Sequence, residues 1–334
     1  GFNLAKMEKD EKEELKKEVS RFFGLPENGE IKPVFYIELD GKLYFGFTPR
    51  LRLFYEKEIY DGLSKEQRDN SLDYCKSMFG FATDNESYRS RLSFQEAVID
   101  KNISENGKTA VVLGEPKPTS YLDYLVGKNG EAVTYRGDFA LRGMKQYWLH
   151  TKEAASGLGN NKDVGSDFYP YPKETSFTGQ IRFSNLSEEE LGMLLWSLLL
   201  EKNSQQNIGK GKTYGFGRVE ISLKQLNILD TAAMYDSETL CLEPYREEKE
   251  RCSEYVDKAK KDMTRFLGKD VMEHPPVRDF LLMKNGNEIP DDSKTHYMSI
   301  EGRDSDYQVR NREQIPLDTI GVVMGKEKRK TQAQ

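Results

Sequence analysis

The chain has 334 residues, with 50 Lys and Arg against 56 Asp and Glu for a formal net charge of −6. Hydrophobic residues make up 37% and charged residues 32%, a balance that fits one large or two ordinary globular domains with a polar surface. No apolar run approaches the ~20 residues of a membrane span, no secretory signal is visible, and an acidic total counts against a surface that binds nucleic acid everywhere. Cys75, Cys241 and Cys252 are few and scattered, which fits a reducing cytoplasm better than a disulfide scaffold. The first residue is Gly rather than Met, which reads as a processed product or a fragment.

Residues 5–23 read as an exposed, charged helix that ends before Gly24 and Pro26. Val34 to Leu39 reads as a strand, Asp40-Gly41 as a turn and Leu43 to Phe47 as the return strand, which together signal a hairpin. Thr48-Pro49-Arg50 redirects the chain, and residues 65–77 are weakly amphipathic and helical. Arg91 to Ile99 has strand character with a polar edge, and residues 101–109 read as a turn. The stretches 116–130 and 151–173 are rich in Gly, Pro, Tyr and Asn and read as long loops, which tend to be functional or disordered. Ser187 with Glu190 three residues on is a capping box, and Leu191, Leu194, Leu195, Leu198 and Leu199 then recur at helical spacing. Val219 to Leu223 alternates as a half-buried strand does. Past Leu226, Glu247 to Leu267 reads as a strongly charged helix. Pro275-Pro276 and a Gly/Asn/Asp-rich stretch at 285–294 follow, then a basic tail at 325–334 that reads as disordered.

Between the Leu-rich helix and the strand lies Gly209-Lys210-Gly211-Lys212-Thr213-Tyr214-Gly215-Phe216-Gly217-Arg218. A Walker loop would need a glycine where Gln206 stands, and would follow a strand and open a helix; here the order is helix, loop, strand. A dinucleotide fingerprint fails for the same reason and by one position of spacing. A helix C-cap and tight turn would explain one or two glycines. Four glycines alternating with Lys210, Lys212 and Arg218 suit a loop that lies along a phosphate backbone. Tyr214 and Phe216 either offer stacking faces to bases or anchor the loop in the core.

The run Phe177 to Leu223 resembles the C-terminal signature of the CRISPR-associated RAMP superfamily, with its loop pattern G-x-G-x-x-x-G-F-G-R-V. Met78 to Asp100 (MFGFATDNESYRSRLSFQEAVID) resembles the family's F-G … S-R-(V/L)-x-F-x-D/E-A block, and Tyr44 to Tyr55 and Ala140 to His150 resemble segments of a larger RAMP subgroup from type III-like loci. The resemblance covers roughly residues 35–223. It implies an α+β fold with a ferredoxin-like (RRM-like) core carrying long insertions over residues 1–225. A partly helical extension would follow over 226–334. It also implies an RNA-binding subunit of an antiviral effector ribonucleoprotein, whose loop residues Gly209, Lys210, Gly211, Lys212, Tyr214, Gly215, Phe216, Gly217 and Arg218 hold the crRNA backbone. Arg50, Arg52, Arg89, Arg91, Arg142 and Lys145, which sit in or beside the matching blocks, would add phosphate contacts. The partners would be crRNA, target RNA and neighbouring effector subunits in the cytoplasm, with no membrane.

Some members cut target RNA with an Asp in a flexible loop and a divalent metal such as Mg²⁺. The nearest candidate here is Asp40, which a hairpin turn also explains. A third reading is a non-catalytic structural subunit that docks its neighbours. No metal site is expected otherwise, because His150, His274 and His296 lack ligand-spaced companions. His150 follows Trp148 and Leu149, which favours packing over general-base chemistry.

Overall fold

The computed structural model describes residues 26–48, 53, 55–68, 71–114, 120–153, 165–236, 238, 243–299 and 302–328, with residues 13, 14, 16–18, 21 and 24 of the N-terminal stretch. The expected helix over 5–23 and the basic tail therefore fall largely outside the described residues. The chain forms two compact units, 1–58 and 59–334, and its class is α+β.

The first unit is built on a hairpin. Strand β1 (Phe35–Leu39) pairs antiparallel with β2 (Lys42–Gly46), Leu39 opposite Lys42. Asp40 and Gly41 both adopt positive φ, 52° and 73°. That is the two-residue turn whose twist matches that of the strands, and Asp-Gly is among its preferred sequences. Lys42 at the start of β2 pairs with Glu56, ten residues past the end of the strand.

The second unit is organised round one apolar helix. Its elements are α1 (Tyr74–Phe79), β3 (Leu92–Phe94), β4 (Val98–Ile99), β5 (Thr109–Val112), β6 (Gly165–Phe168), β7 (Phe177–Thr178) and β8 (Ile181–Phe183). Then come α2 (Glu188–Leu199), β9 (Gln206–Asn207), β10 (Arg218–Val219), β11 (Asn227–Leu229), β12 (Tyr245–Glu247), α3 (Cys252–Leu267) and α4 (Pro275–Lys284). The strands pair antiparallel in two-stranded ladders: β3 with β8, β4 with β7, β5 with β6, β9 with β10 and β11 with β12.

Helix α2 opens as its sequence dictates. The Ser187 hydroxyl accepts from Glu190 N–H, and the Glu190 carboxylate accepts from Ser187 N–H. Two otherwise orphaned donors are satisfied in this way. One apolar face, with Leu194, packs on Met78 and Leu92, with Ile181 and Phe183 beside them. The other, with Leu191 and Leu195, packs on Tyr255 and Leu226. Residues on both sides of position 225 thus share one core. Gly192 is what lets α2 and α3 meet: a Cβ there would fall under 3.0 Å from the Tyr255 carbonyl oxygen and its carbon.

Several local expectations shift. The stretch 151–173 contains β6, which is held by its ladder to β5. Pro275 and Pro276, left without a structural reading in the sequence, open a helix, because a proline at the first helical positions has no intrahelical N–H to lose. The strand expected over 219–223 pairs only through Val219. Its partner β9 is short because Gln205 N–H, just before it, donates to the Lys284 carbonyl at 2.8 Å.

On an exposed helix Gly→Ala gains about 1 kcal/mol. At position 192 the carbonyl clash reverses the sign, and Gly192→Ala is expected to cost ~1–3 kcal/mol. A lowered urea midpoint at unchanged m-value is the expected result, and a raised midpoint would contradict the packing.

Candidate RNA interface

The glycine loop is the connection between β9 and β10, with a single 3₁₀ turn over Lys212–Tyr214. Its four glycines all have positive φ, between 68° and 88°. Space round them differs. Nothing lies within 4 Å of a Cβ built on Gly209, whereas one on Gly217 would strike the Ile208 carbonyl oxygen. Cβ atoms on Gly211 and Gly215 would meet Phe168 Cζ at 2.7 Å and the Lys152 carbonyl oxygen at 2.6 Å. Close approach at 211, 215 and 217 therefore serves the protein's own packing, and only Gly209 presents open backbone.

The two aromatics face inward. Tyr214 is 3% exposed, its hydroxyl donates to the Val112 carbonyl at 2.5 Å, and its ring lies 5.3 Å from that of Tyr297. Burial, with the Tyr297 hydroxyl as a lesser cause, pushes the phenol up to about 12. Phe216 is half-buried and stands edge-on to Phe168 at 5.1 Å. The open question of base stacking or core packing resolves toward the core for Tyr214, and Phe216 braces the loop against β6.

The loop cations divide by role. Lys210 is exposed and has no hydrogen-bond or ion-pair partner among the described residues. Arg218 is exposed, and one guanidinium nitrogen donates to the His150 carbonyl at 2.9 Å. The Lys212 ammonium donates to the Gly209 carbonyl at 2.7 Å and sits 4.9 Å from the centre of the Tyr147 ring. Lys145 approaches the same ring at 5.3 Å. So Lys145, far away in sequence, joins the loop. His150 is buried, with Nδ1 3.3 Å from Asp292 Oδ1; the same carboxylate accepts from Thr151 N–H and Thr151 O–H. Burial would raise Asp292, but the bonds from Thr151 and the contact with His150 bring it below the usual carboxylate range. This packed arrangement orients the backbone that Arg218 binds.

The other expected phosphate contacts separate. Arg89 is exposed on the turn before β3 and has no side-chain partner among the described residues. Arg91 is committed to the interior: it pairs with Glu190 and donates to the carbonyls of Ser77 (2.9 Å) and Asn185 and to the Ser77 hydroxyl. Burial would raise the Glu190 carboxyl, but hydrogen bonds from Arg91, the Ser77 hydroxyl and Ser187 N–H hold it at about 2. Arg142 donates to the Leu317 carbonyl and is half-buried; burial and the nearby Arg310 lower its guanidinium from the ordinary value. Arg50 and Arg52 lie outside the described residues. Asp40 occupies the β1–β2 turn in the first unit, and among the described residues no three His, Cys, Asp or Glu side chains converge as a metal would require.

Lys284 was not expected here. It closes α4, is 3% exposed, and donates to the Tyr147 carbonyl at 2.9 Å and to Asn207 Oδ1 on β9. Burial, then the charge of Lys212, lowers its ammonium to about 8. Its only sequence signal is its place at the end of the apolar run Phe280 to Met283.

The Arg91–Glu190 bond makes an acid-sensitive joint. Its contribution is complete above the ordinary carboxylate range, near 4.5, and is lost as pH falls toward about 2. Glu190→Gln is expected to lower stability by roughly 2–3 kcal/mol at pH 7 and to flatten the loss of stability between about pH 4.5 and 2. Chemical unfolding across that range reads both effects.

Compared with models of known protein families and with curated proteins, the sequence matches none, and no helix among the described residues is long and apolar enough to cross a membrane.

Proposed function

We propose that the protein is a crRNA-binding subunit of a CRISPR type III-like effector ribonucleoprotein, with the β9–β10 loop lying along the RNA backbone. The finer fold that accompanies this reading is a ferredoxin-like RAMP core built on β3, β8, α2, β9 and β10, with residues 226–334 as an extension. One observation carries the proposal. On a chain of net charge −6, the cations round this loop (Lys145, Lys210, Lys212 and Arg218) make no hydrogen bond or ion pair with a carboxylate among the described residues. Locally unneutralised charge on an acidic body is the electrostatic footprint of a confined polyanion groove.

The protein would contact backbone and sugar, and pairing between guide and target would carry the sequence information. Gly209, with open space over its Cα, is the point where a polymer can come closest to the chain. Inward-facing Tyr214 and Phe216 leave hydrogen bonds and charge, rather than stacking, as the source of affinity.

Such binding depends steeply on salt, each neutralised phosphate of a single strand contributing about 0.7 to the slope of log K against log salt. Lys210→Ala combined with Arg218→Ala is expected to weaken binding of single-stranded RNA regardless of sequence and to reduce that slope by about 1.4. Fluorescence anisotropy over a salt series measures both quantities. Wild-type protein that fails to bind RNA at low salt would defeat the proposal.

A further inference from the structure

The basic side chains of the second unit fall into two groups. Among the described residues, Arg91 meets Glu190, Lys260 meets Glu201, Arg310 meets Asp123 and Lys258 meets Glu188, whereas half-buried Arg142 meets the Leu317 carbonyl. Lys284, more buried than any of these, instead meets two neutral oxygens, those of the Tyr147 carbonyl and the Asn207 amide. The charge that acts on it is that of Lys212, a like charge. Glu288 and Asp292, close to Lys284 in sequence, are engaged with Lys326 and His150, and Glu201 and Glu153, near Asn207 and Tyr147 in sequence, with Lys260 and Lys173.

An ammonium removed from water without a counter-charge is costly. Here the protein also sets a second ammonium beside it and directs both at one residue. Tyr147 receives Lys284 on its carbonyl and Lys212 on its ring, with Lys145 at the same ring. Three separate stretches of chain, 145–147, 212 and 284, are thus held together by an arrangement whose charges repel. A polyvalent oxyanion converts that repulsion into attraction.

We infer that Lys145, Lys212 and Lys284 form a phosphate subsite about Tyr147, in which Lys145 and Lys212 contact the anion and Lys284 supplies charge from beneath. Lys284 is a positioning residue: it fixes Tyr147 and β9 and adds its field. In taking the ligand to be one backbone phosphate of the RNA, the inference rests on the function proposed above. The subsite itself does not depend on that reading. It goes further in making the anion site bipartite, with helix α4, beyond residue 226, indispensable to a loop near residue 210.

A pH dependence separates this role from a structural one. The groups that meet Lys284 are the Tyr147 carbonyl on the neighbouring stretch, Asn207 on β9 and the Phe280 ring, 5.7 Å away on its own helix, and the charge that acts on it is that of Lys212 on the loop. Ordinary lysines lose their proton near 10.4, whereas Lys284 does so near 8. Its contribution to anion binding is therefore present at pH 7 and fades by pH 9.5.

The test uses the full chain with two probes. Sulfate, a tetrahedral oxyanion of constant charge over this range, is titrated at low millimolar levels against chloride of equal ionic strength while the thermal midpoint is followed. A single-stranded RNA oligonucleotide is titrated at pH 7 and 9.5. Wild type is expected to show a saturable, sulfate-specific rise at pH 7, and RNA affinity lower by about five-fold at pH 9.5, the effect of one nearby charge. Lys284→Met is expected to remove the sulfate-specific rise and to flatten the pH dependence. If Lys284→Met does not fold, Lys212→Gln and Lys145→Gln are read instead, and each is expected to remove the sulfate-specific rise. Equal sulfate responses in wild type and variants, with RNA binding untouched, would overturn the subsite and leave the RNA proposal standing. A Lys284-dependent sulfate response with no RNA binding would do the reverse.

Discussion

The second unit depends on the ion pair between Arg91 and Glu190. It stands at the N-terminus of α2, where the helix dipole already favours a carboxylate, and it draws three elements to one point. Glu190 caps its own helix through Ser187 N–H and receives the Ser77 hydroxyl from α1, while Arg91 arrives from the turn before β3. The side chains retain only 17% and 15% exposure, so the pair is largely withdrawn from water, and removing either partner strands the other. From that anchor α2 buries one face on α1, β3 and β8 and the other on α3. The loop that leads from β9 to β10 is carried at the far end of the same helix.

That loop is held as firmly as it is placed. Tyr214 is sealed beneath it, Phe216 leans on Phe168, and three of its glycines abut backbone or rings. What it offers outward is charge: Lys210 and Arg218 at its surface, Lys212 over Tyr147. His150 is packed against Asp292, and Asp40 stands in the tight turn between β1 and β2.

Much of the architecture was readable in the sequence because the signals were local. The Ser187/Glu190 capping box, the leucine spacing of α2, the Asp40-Gly41 hairpin and the charged α3 each follow from residues within a turn or two of one another. The site was readable only in outline. Arg91 looks like any basic residue beside a motif until its partner, 99 positions away, is brought to it. Lys284 gives no sign of joining the loop because a helix end and a hairpin 77 residues apart meet only through tertiary packing. Tyr214 and Phe216 could not be assigned from sequence, since an aromatic in a glycine-rich segment suits a base or a core equally well, and only the Val112 carbonyl and the Phe168 ring decide. The pairing of β5 with β6 was hidden for a similar reason, one strand lying inside a stretch of loop-like composition.

The inward anchoring of Tyr214 has a thermodynamic consequence. A basic, glycine-rich segment that was loose in the free protein would surrender its conformational freedom on meeting a polyanion, and much of the electrostatic gain would be offset by that ordering. In this chain the Tyr214 hydroxyl and ring have already fixed the backbone on which the cations stand. The entropy is lost during folding, so under the proposed function the loop meets RNA as a preformed surface.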